Sequence, residues 1–265
     1  MTICIAAISE RDKIIAVTDK MLTLERPNMT TTFEISDSNK VCDLTDKTLA
    51  LFAGDVIHAN EILKRTKDKI DAKKPTTVIE VANMTNEAFT EHWESVISKW
   101  LTLRYKVDLE TFMKNQQAFD SDLIKRINTI VADFDIGVQI LIAGIDNSPR
   151  IYQVDNGGMV VEQTPLGYAC IGSGREHATL SLIESEYNSS FEKPKALYSL
   201  LEAKKRAEYD PGVGEHCDIA IIDGSFKKYD GSVIDKVMET FNKSRVTVQE
   251  TKKKYFTEIK SIKGV

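Results

Sequence analysis

Thr2 is the residue whose place in this chain could do chemistry without help. A small second residue is the type from which an initiator methionine is removed, and loss of Met1 would leave a hydroxyl and a free α-amine on one residue. Such an amine titrates near about pH 8, so at neutral pH a fraction is unprotonated and can take the hydroxyl proton directly or through water. Nucleophile and base would then be one residue, the terminal-threonine variant of nucleophile activation, with no separate histidine. Alone, a Met-Thr start is better explained as the beginning of an edge strand. Thr2 needs company, and Asp19, Lys40 and Gly54 supply it, each at the start or end of a predicted strand.

The elements that must hold these residues follow from the hydrophobic pattern. Ile3 to Ile8 and Ile14 to Val17 are short, nearly continuous apolar runs around a polar turn, which predicts a hairpin buried on both faces and closing on Thr18-Asp19. A polar stretch, Thr23 to Asn39, separates it from a second strand pair, Lys40 to Leu44 and Lys47 to Ala53, ending at Gly54. Asp55 then caps a helix to about Ala72. Pro75 opens a long helical stretch carrying Val81, Phe89, Trp93 and Trp100, and Leu109 to Ile130 is a second one. Val138 to Ile145, Arg150 to Val154 and Met159 to Gln163 read as three antiparallel strands joined by turns. Leu166 to Ile171 and Cys217 to Asp223 are further strands, with helices through Ala178 to Ile183 and Pro194 to Tyr209 between them. Toward the end a short helix is expected over Val233 to Phe241, with terminal strands at Val246 to Gln249 and Tyr255 to Ile259. Strands and helices alternate in blocks with antiparallel hairpins, so the class is α+β, antiparallel sheets covered by helical layers. One domain, residues 1–265, is expected, with a helical insertion at about 100–133.

Composition narrows the function. The chain has 265 residues, 42% hydrophobic and 28% charged, which fits a folded protein and excludes a disordered or fibrous one. Its 35 basic and 40 acidic residues are mixed along the chain, so nothing suggests nucleic acid as a partner. No apolar run is long enough to span a bilayer and the first residues lack the basic start of a signal peptide, so a cytoplasmic protein is expected. Cys4, Cys42, Cys170 and Cys217 sit in apolar runs as buried thiols do, and His58, His92, His177 and His216 lack metal-binding spacing. No metal and no cofactor are expected.

The segments Thr2-Ile-Cys-Ile-Ala, Ile15-Ala-Val-Thr-Asp19, Asn39-Lys40-Val41 and Leu51-Phe-Ala-Gly54-Asp55 resemble those of proteasome β-subunits and their bacterial proteasome-like relatives. Ala169-Cys-Ile-Gly-Ser173-Gly174 entering a helix does so as well, and order and spacing carry the resemblance over residues 2–72 and 138–223. It implies the Ntn-hydrolase fold, a four-layer αββα sandwich of two antiparallel sheets, with the threonine at the mouth of a cleft between them. Thr2 then matches the nucleophile, Asp19 the acid that pairs a buried lysine, and Lys40 that lysine. Gly54 matches the glycine whose N–H stabilises the oxyanion, and Ser173 the serine that supports the terminal amine. Leu22, Cys42, Phe52 and Val56 would line an apolar substrate pocket. The implied activity is hydrolysis of amide bonds in peptide or protein substrates by a homo-oligomer, ring or related. A noncatalytic ring subunit, or a transpeptidase or amidase on the same fold, are the alternatives.

The chain departs from that pattern in three places. Only Met1 precedes Thr2, where most catalytic members carry a propeptide. The segment Lys205 to Gly212 lacks the serine of the family's Asp-x-x-Ser-Gly motif, leaving Glu208 or Asp210 as candidate carboxylates or as part of an ordinary polar helix end. The helical region around 100–133 exceeds the usual length, and Trp93, Trp100, Leu103, Tyr105 and Phe112 would pack a local core, a neighbour or the cleft.

Overall fold

The computed structural model describes residues 2–26, 29–34, 40–155 and 158–260, with backbone alone for 22–26, 29–34 and 256–260. Strand β1 (Cys4–Ser9) pairs antiparallel with β2 (Lys13–Asp19), and every residue of β1 is buried. Side chains along a strand point alternately to its two faces. Ile5 and Ala7 of β1, with Ile15 and Val17 of β2, therefore face one core, while Cys4, Ala6, Ile8, Ile14 and Ala16 face another. A strand with both faces covered needs apolar residues at every position, and this is why the hairpin shows no polar alternation.

The same division runs through both sheets. The first has the order β10 (Tyr168–Ile171), β1, β2, β11 (Cys217–Asp223), β12 (Ser225–Lys228). The second has the order β5 (Val41–Thr45), β6 (Thr48–Gly54), β7 (Val138–Ile145), β8 (Pro149–Val154), β9 (Val160–Glu162). All pairings in both are antiparallel. Between the sheets lie Leu49, Leu51, Leu141, Ala143, Ala220 and Ile222 with the inner residues of the hairpin. On the outer face of the first sheet pack α5 (Arg175–Glu184), α6 (Lys193–Ala207) and the start of α7 (Gly231–Lys260). On the outer face of the second sheet pack α1 (Val56–Lys73) and α2 (Val78–Tyr105). The result is the four-layer αββα sandwich.

Local chemistry sets the helix ends. Asp55 caps α1 by accepting the N–H groups of Ile57 and His58 at 2.8 and 3.0 Å, and Thr77 and Glu80 form a reciprocal capping box at the start of α2. The helical stretch expected over Leu109 to Ile130 is broken: α3 (Leu109–Lys114) and α4 (Ser121–Asp133) are separated by a short 3-10 turn. Asp120 caps α4 by accepting the N–H groups of Asp122 and Leu123 at 3.0 and 2.8 Å. Ile97, Leu101, Phe112 and Ile127 form a fully buried cluster there, with Trp93, Trp100 and Tyr105 against it, while Leu103 points to solvent at 75% exposure. The long insertion thus carries a core of its own.

Two expectations are corrected. The polar stretch after Asp19 contains a hairpin, β3 (Met21–Arg26) with β4 (Met29–Glu34), a two-stranded sheet in which Thr30, Thr31 and Thr32 are β-branched strand formers. The terminal strands at 246–249 and 255–259 do not form, because α7 continues through them to Lys260. Val246 and Val248 are about half exposed on it, so their β-branched type does not decide the local structure.

Candidate active site

Asp19 ends β2 with its side chain fully buried and accepts from five donors. Its Oδ1 takes the N–H of Ile3 at 3.0 Å and the ammonium of Lys40 at 2.7 Å. Its Oδ2 takes the N–H groups of Met21 and Gly214, both at 3.1 Å. A buried carboxylate is tolerated only when paired and hydrogen-bonded, and this one is both. Lys40, 3% exposed just before β5, donates to the Met21 carbonyl at 2.6 Å, to Asp19, and to Thr2 Oγ1. Those contacts account for all three protons of an ammonium group. Thr2 Oγ1 also contacts Asp19 Oδ1, so the hydroxyl lies between a cation and an anion.

The other side of Thr2 is built by the turn after β10. The N–H of Thr2 meets Ser173 Oγ at 3.3 Å, and the Thr2 carbonyl accepts the N–H of Gly174 at 3.2 Å. Gly172 has φ +98°, and a Cβ there would lie 2.3 Å from the Thr2 carbonyl oxygen, so only glycine lets the turn close on the first strand. Gly54 also needs to be glycine: φ is +105° and a Cβ would fall 1.7 Å from the Gly137 carbonyl oxygen. Thr2, Ala53, Gly54, Gln139, Gly172 and Ser173 share the wall of one open cavity of about 490 Å³.

Thr2, Asp19, Lys40, Gly54 and Ser173 therefore come together from five separate places in the sequence. The apolar candidates lie elsewhere. Cys42, Phe52 and Val56 pack in the layer between the second sheet and α1, with Phe52 buried at 3% exposure, and they do not line this cavity. The side chain of Leu22 and all of Met1 lie outside the described residues. Glu208 does not reach the site, since its carboxylate is held by Lys204 and Lys205. Asp210 caps its own turn through the Gly212 N–H at 2.9 Å. That turn serves the site by its backbone instead, through the Gly214 N–H on Asp19. The thiols are insulated: burial pushes Cys170 up to about 12 and Cys217 up to about 11, and raises Cys4 further still.

A family model described as proteasome subunit matches residues 124–222. A proteasome subunit beta 2 from Ignicoccus hospitalis is 35% identical over 91 residues, covering 32% of this chain and 39% of that protein. Over these stretches the chain is similar to proteasome subunits. Its two five-stranded antiparallel sheets between helical layers agree with the four-layer sandwich of the Ntn-hydrolase fold, and the matched region runs from α4 through β11, including Ser173. Thr2, Asp19, Lys40 and Gly54 lie outside that region, and their grouping rests on the geometry above. Sequence reasoning did not find Met21, Gly172, Gly174 and Gly214, which act through backbone groups, nor Gln139. The pair of glycines around Ser173 was the one available signal. Among the described residues no helix is long and apolar enough to cross a membrane.

Proposed function

We propose that this proteasome-like chain is an N-terminal threonine hydrolase of amide bonds, most simply a peptidase, with Thr2 made terminal by removal of Met1. The observation that carries the reading is the Thr2 hydroxyl held between Lys40 Nζ and Asp19 Oδ1. The α-amine of Thr2, held by Ser173 Oγ, takes the hydroxyl proton as Oγ1 attacks the carbonyl carbon of the substrate. Lys40 stabilises the charge that grows on Oγ1, and its like charge lowers the proton affinity of the nearby amine. The tetrahedral oxyanion is stabilised by the backbone N–H of Gly54 at the strand-to-helix turn. The ammonium then returns the proton to the departing amine, leaving an acyl ester on Oγ1. Water, deprotonated by the same amine, releases the acid and restores the hydroxyl. An amine in place of water gives transpeptidation through the same ester.

Cys42, Phe52 and Val56, with Leu22, would receive the acyl side chain, which favours a modest apolar residue. The chain functions as one domain, as a homo-oligomer, on peptide or protein substrates. The test is turnover of a set of fluorogenic peptides by the Met1-processed protein and by Thr2→Ala and Thr2→Ser. Turnover is expected to vanish in the alanine variant and to persist at a reduced level in the serine variant. Equal turnover by Thr2→Ala and the parent protein overturns the proposal.

A further inference from the structure

Among the side chains lining the cavity beside Thr2, Gln139 has its orientation fixed by the backbone. It lies on β7, on the face shared with Leu141 and Ala143, and so points toward the other sheet. Its Oε1 accepts the N–H of Gly172 at 3.0 Å across the seam between the sheets. A carboxamide has an acceptor end and a donor end, and the reverse orientation would set its NH2 against another N–H. Gly172 cannot turn away, because it is wedged against the Thr2 carbonyl. Nε2 is therefore directed away from Gly172, and it has no acceptor among the described residues. The residue is only partly covered.

Ala53 lines this cavity while Phe52, its neighbour on β6, faces α1. The cavity and the apolar group of Cys42, Phe52 and Val56 thus open from opposite faces of one strand. If the acyl side chain enters the apolar group, the departing amine lies on the cavity side. Asp135, Asp155 and Arg175 stand on the cavity wall among the glycine turns.

We propose that this cavity is the subsite for the portion of the substrate that leaves, and that Gln139 Nε2 donates to a main-chain carbonyl of that portion. The inference rests on the threonine-hydrolase reading. It defines the substrate class as a peptide that continues past the scissile bond, as distinct from a terminal amide or an arylamide, whose leaving amine offers no main-chain carbonyl. A neutral hydrogen bond of this kind is worth up to about tenfold in kcat/KM.

The experiment compares two substrates with the same acyl part, one extended by two residues beyond the scissile bond and one releasing an aminocoumarin. Both are assayed with the parent protein and with Gln139→Glu, which keeps an oxygen for Gly172 and loses the NH2 donor. Active sites are first counted by β-lactone labelling of Thr2. The expected result is a fall of several-fold, up to about tenfold, in the ratio of kcat/KM, extended over aminocoumarin, on going to Gln139→Glu. An unchanged ratio, with Thr2 labelled, overturns the inference and leaves the threonine reading standing. No labelling of the parent protein overturns the threonine reading itself. Should Gln139→Glu fail to fold, the parent protein is tested with the extended substrate reduced to a methylene at its first carbonyl past the cleaved bond. A loss of about tenfold in kcat/KM is expected, and equal kcat/KM overturns the inference.

Discussion

Replacing Asp19 by Asn, or Lys40 by Met, should cost stability far beyond what either bond would suggest, and replacing both should cost much less than the sum. The two side chains are 0% and 3% exposed and meet at 2.7 Å. At an effective dielectric constant of about 20 their attraction is about 6 kcal/mol, but each ion has lost several kcal/mol of hydration, so the net worth of the pair is small. Breaking one side removes the attraction and keeps the desolvation. Each single variant should therefore lose about 3–5 kcal/mol, which for a chain of this size lowers Tm by very roughly 6–20 °C. Asp19→Asn further turns an NH2 toward the N–H groups of Met21 and Gly214, or leaves them a poorer acceptor. Urea unfolding of the parent, both singles and the double closes a thermodynamic cycle. The expected coupling is about 2–4 kcal/mol, with the double variant more stable than additivity predicts. Additivity within about 0.5 kcal/mol would refute the argument that the two charges support each other.

Other consequences can be checked separately. Gly172→Ala forces a left-handed backbone on alanine and drives its methyl into the Thr2 carbonyl, so a loss of about 1–3 kcal/mol in urea unfolding and slower lactone labelling of Thr2 are expected. Phe112→Ala empties the core of the helical insertion and should cost about 3–5 kcal/mol, read as a lowered unfolding midpoint, without slowing Thr2 labelling. The His92 imidazole is held below its ordinary value of 6.5, chiefly by burial and next by the charge of His58, with Arg65 and Lys99 adding to the effect and Glu61 opposing it. A depressed folded value means that the unfolded chain binds the proton more readily, so the stability His92 contributes is full above 6.5 and is lost as pH falls through its folded value. Stability measured from pH 8 down to pH 5 should decline less steeply in His92→Gln. Iodoacetamide at pH 7.5 should leave Thr2 labelling unchanged, because burial holds Cys170 up at about 12 and Cys217 up at about 11.

The site was legible in the sequence where it depends on side-chain type at strand ends. Asp19, Lys40 and Thr2 each stand where an apolar run begins or stops, and the two-sided burial of β1 and β2 explains why those runs were unmistakable. Gly54 closes its strand in the same way, whereas Ser173 was implied by the family resemblance alone. The backbone donors of Met21 and Gly214 carry no residue signature, and neither does the register that sets Gly172 against Thr2. Gln139 was hidden because one polar residue inside a buried strand reads as noise until the facing sheet is known. The β3–β4 hairpin was missed because its threonines are polar by composition and strand-forming by shape. At the C-terminus the opposite error arose: Val246 and Val248 suggested strands, but α7, packed on the first sheet near Phe241, propagates through them.

The central claim is that Thr2, freed of Met1, is the nucleophile. The direct measurement is tandem mass spectrometry of the protein after incubation with a β-lactone probe, with Thr2→Ala treated alongside. The account predicts a threonine N-terminus, one adduct per chain on the Thr2 oxygen, and no adduct in the alanine variant. A chain that retains Met1 and stays unlabelled, or an adduct that persists in Thr2→Ala, would contradict it.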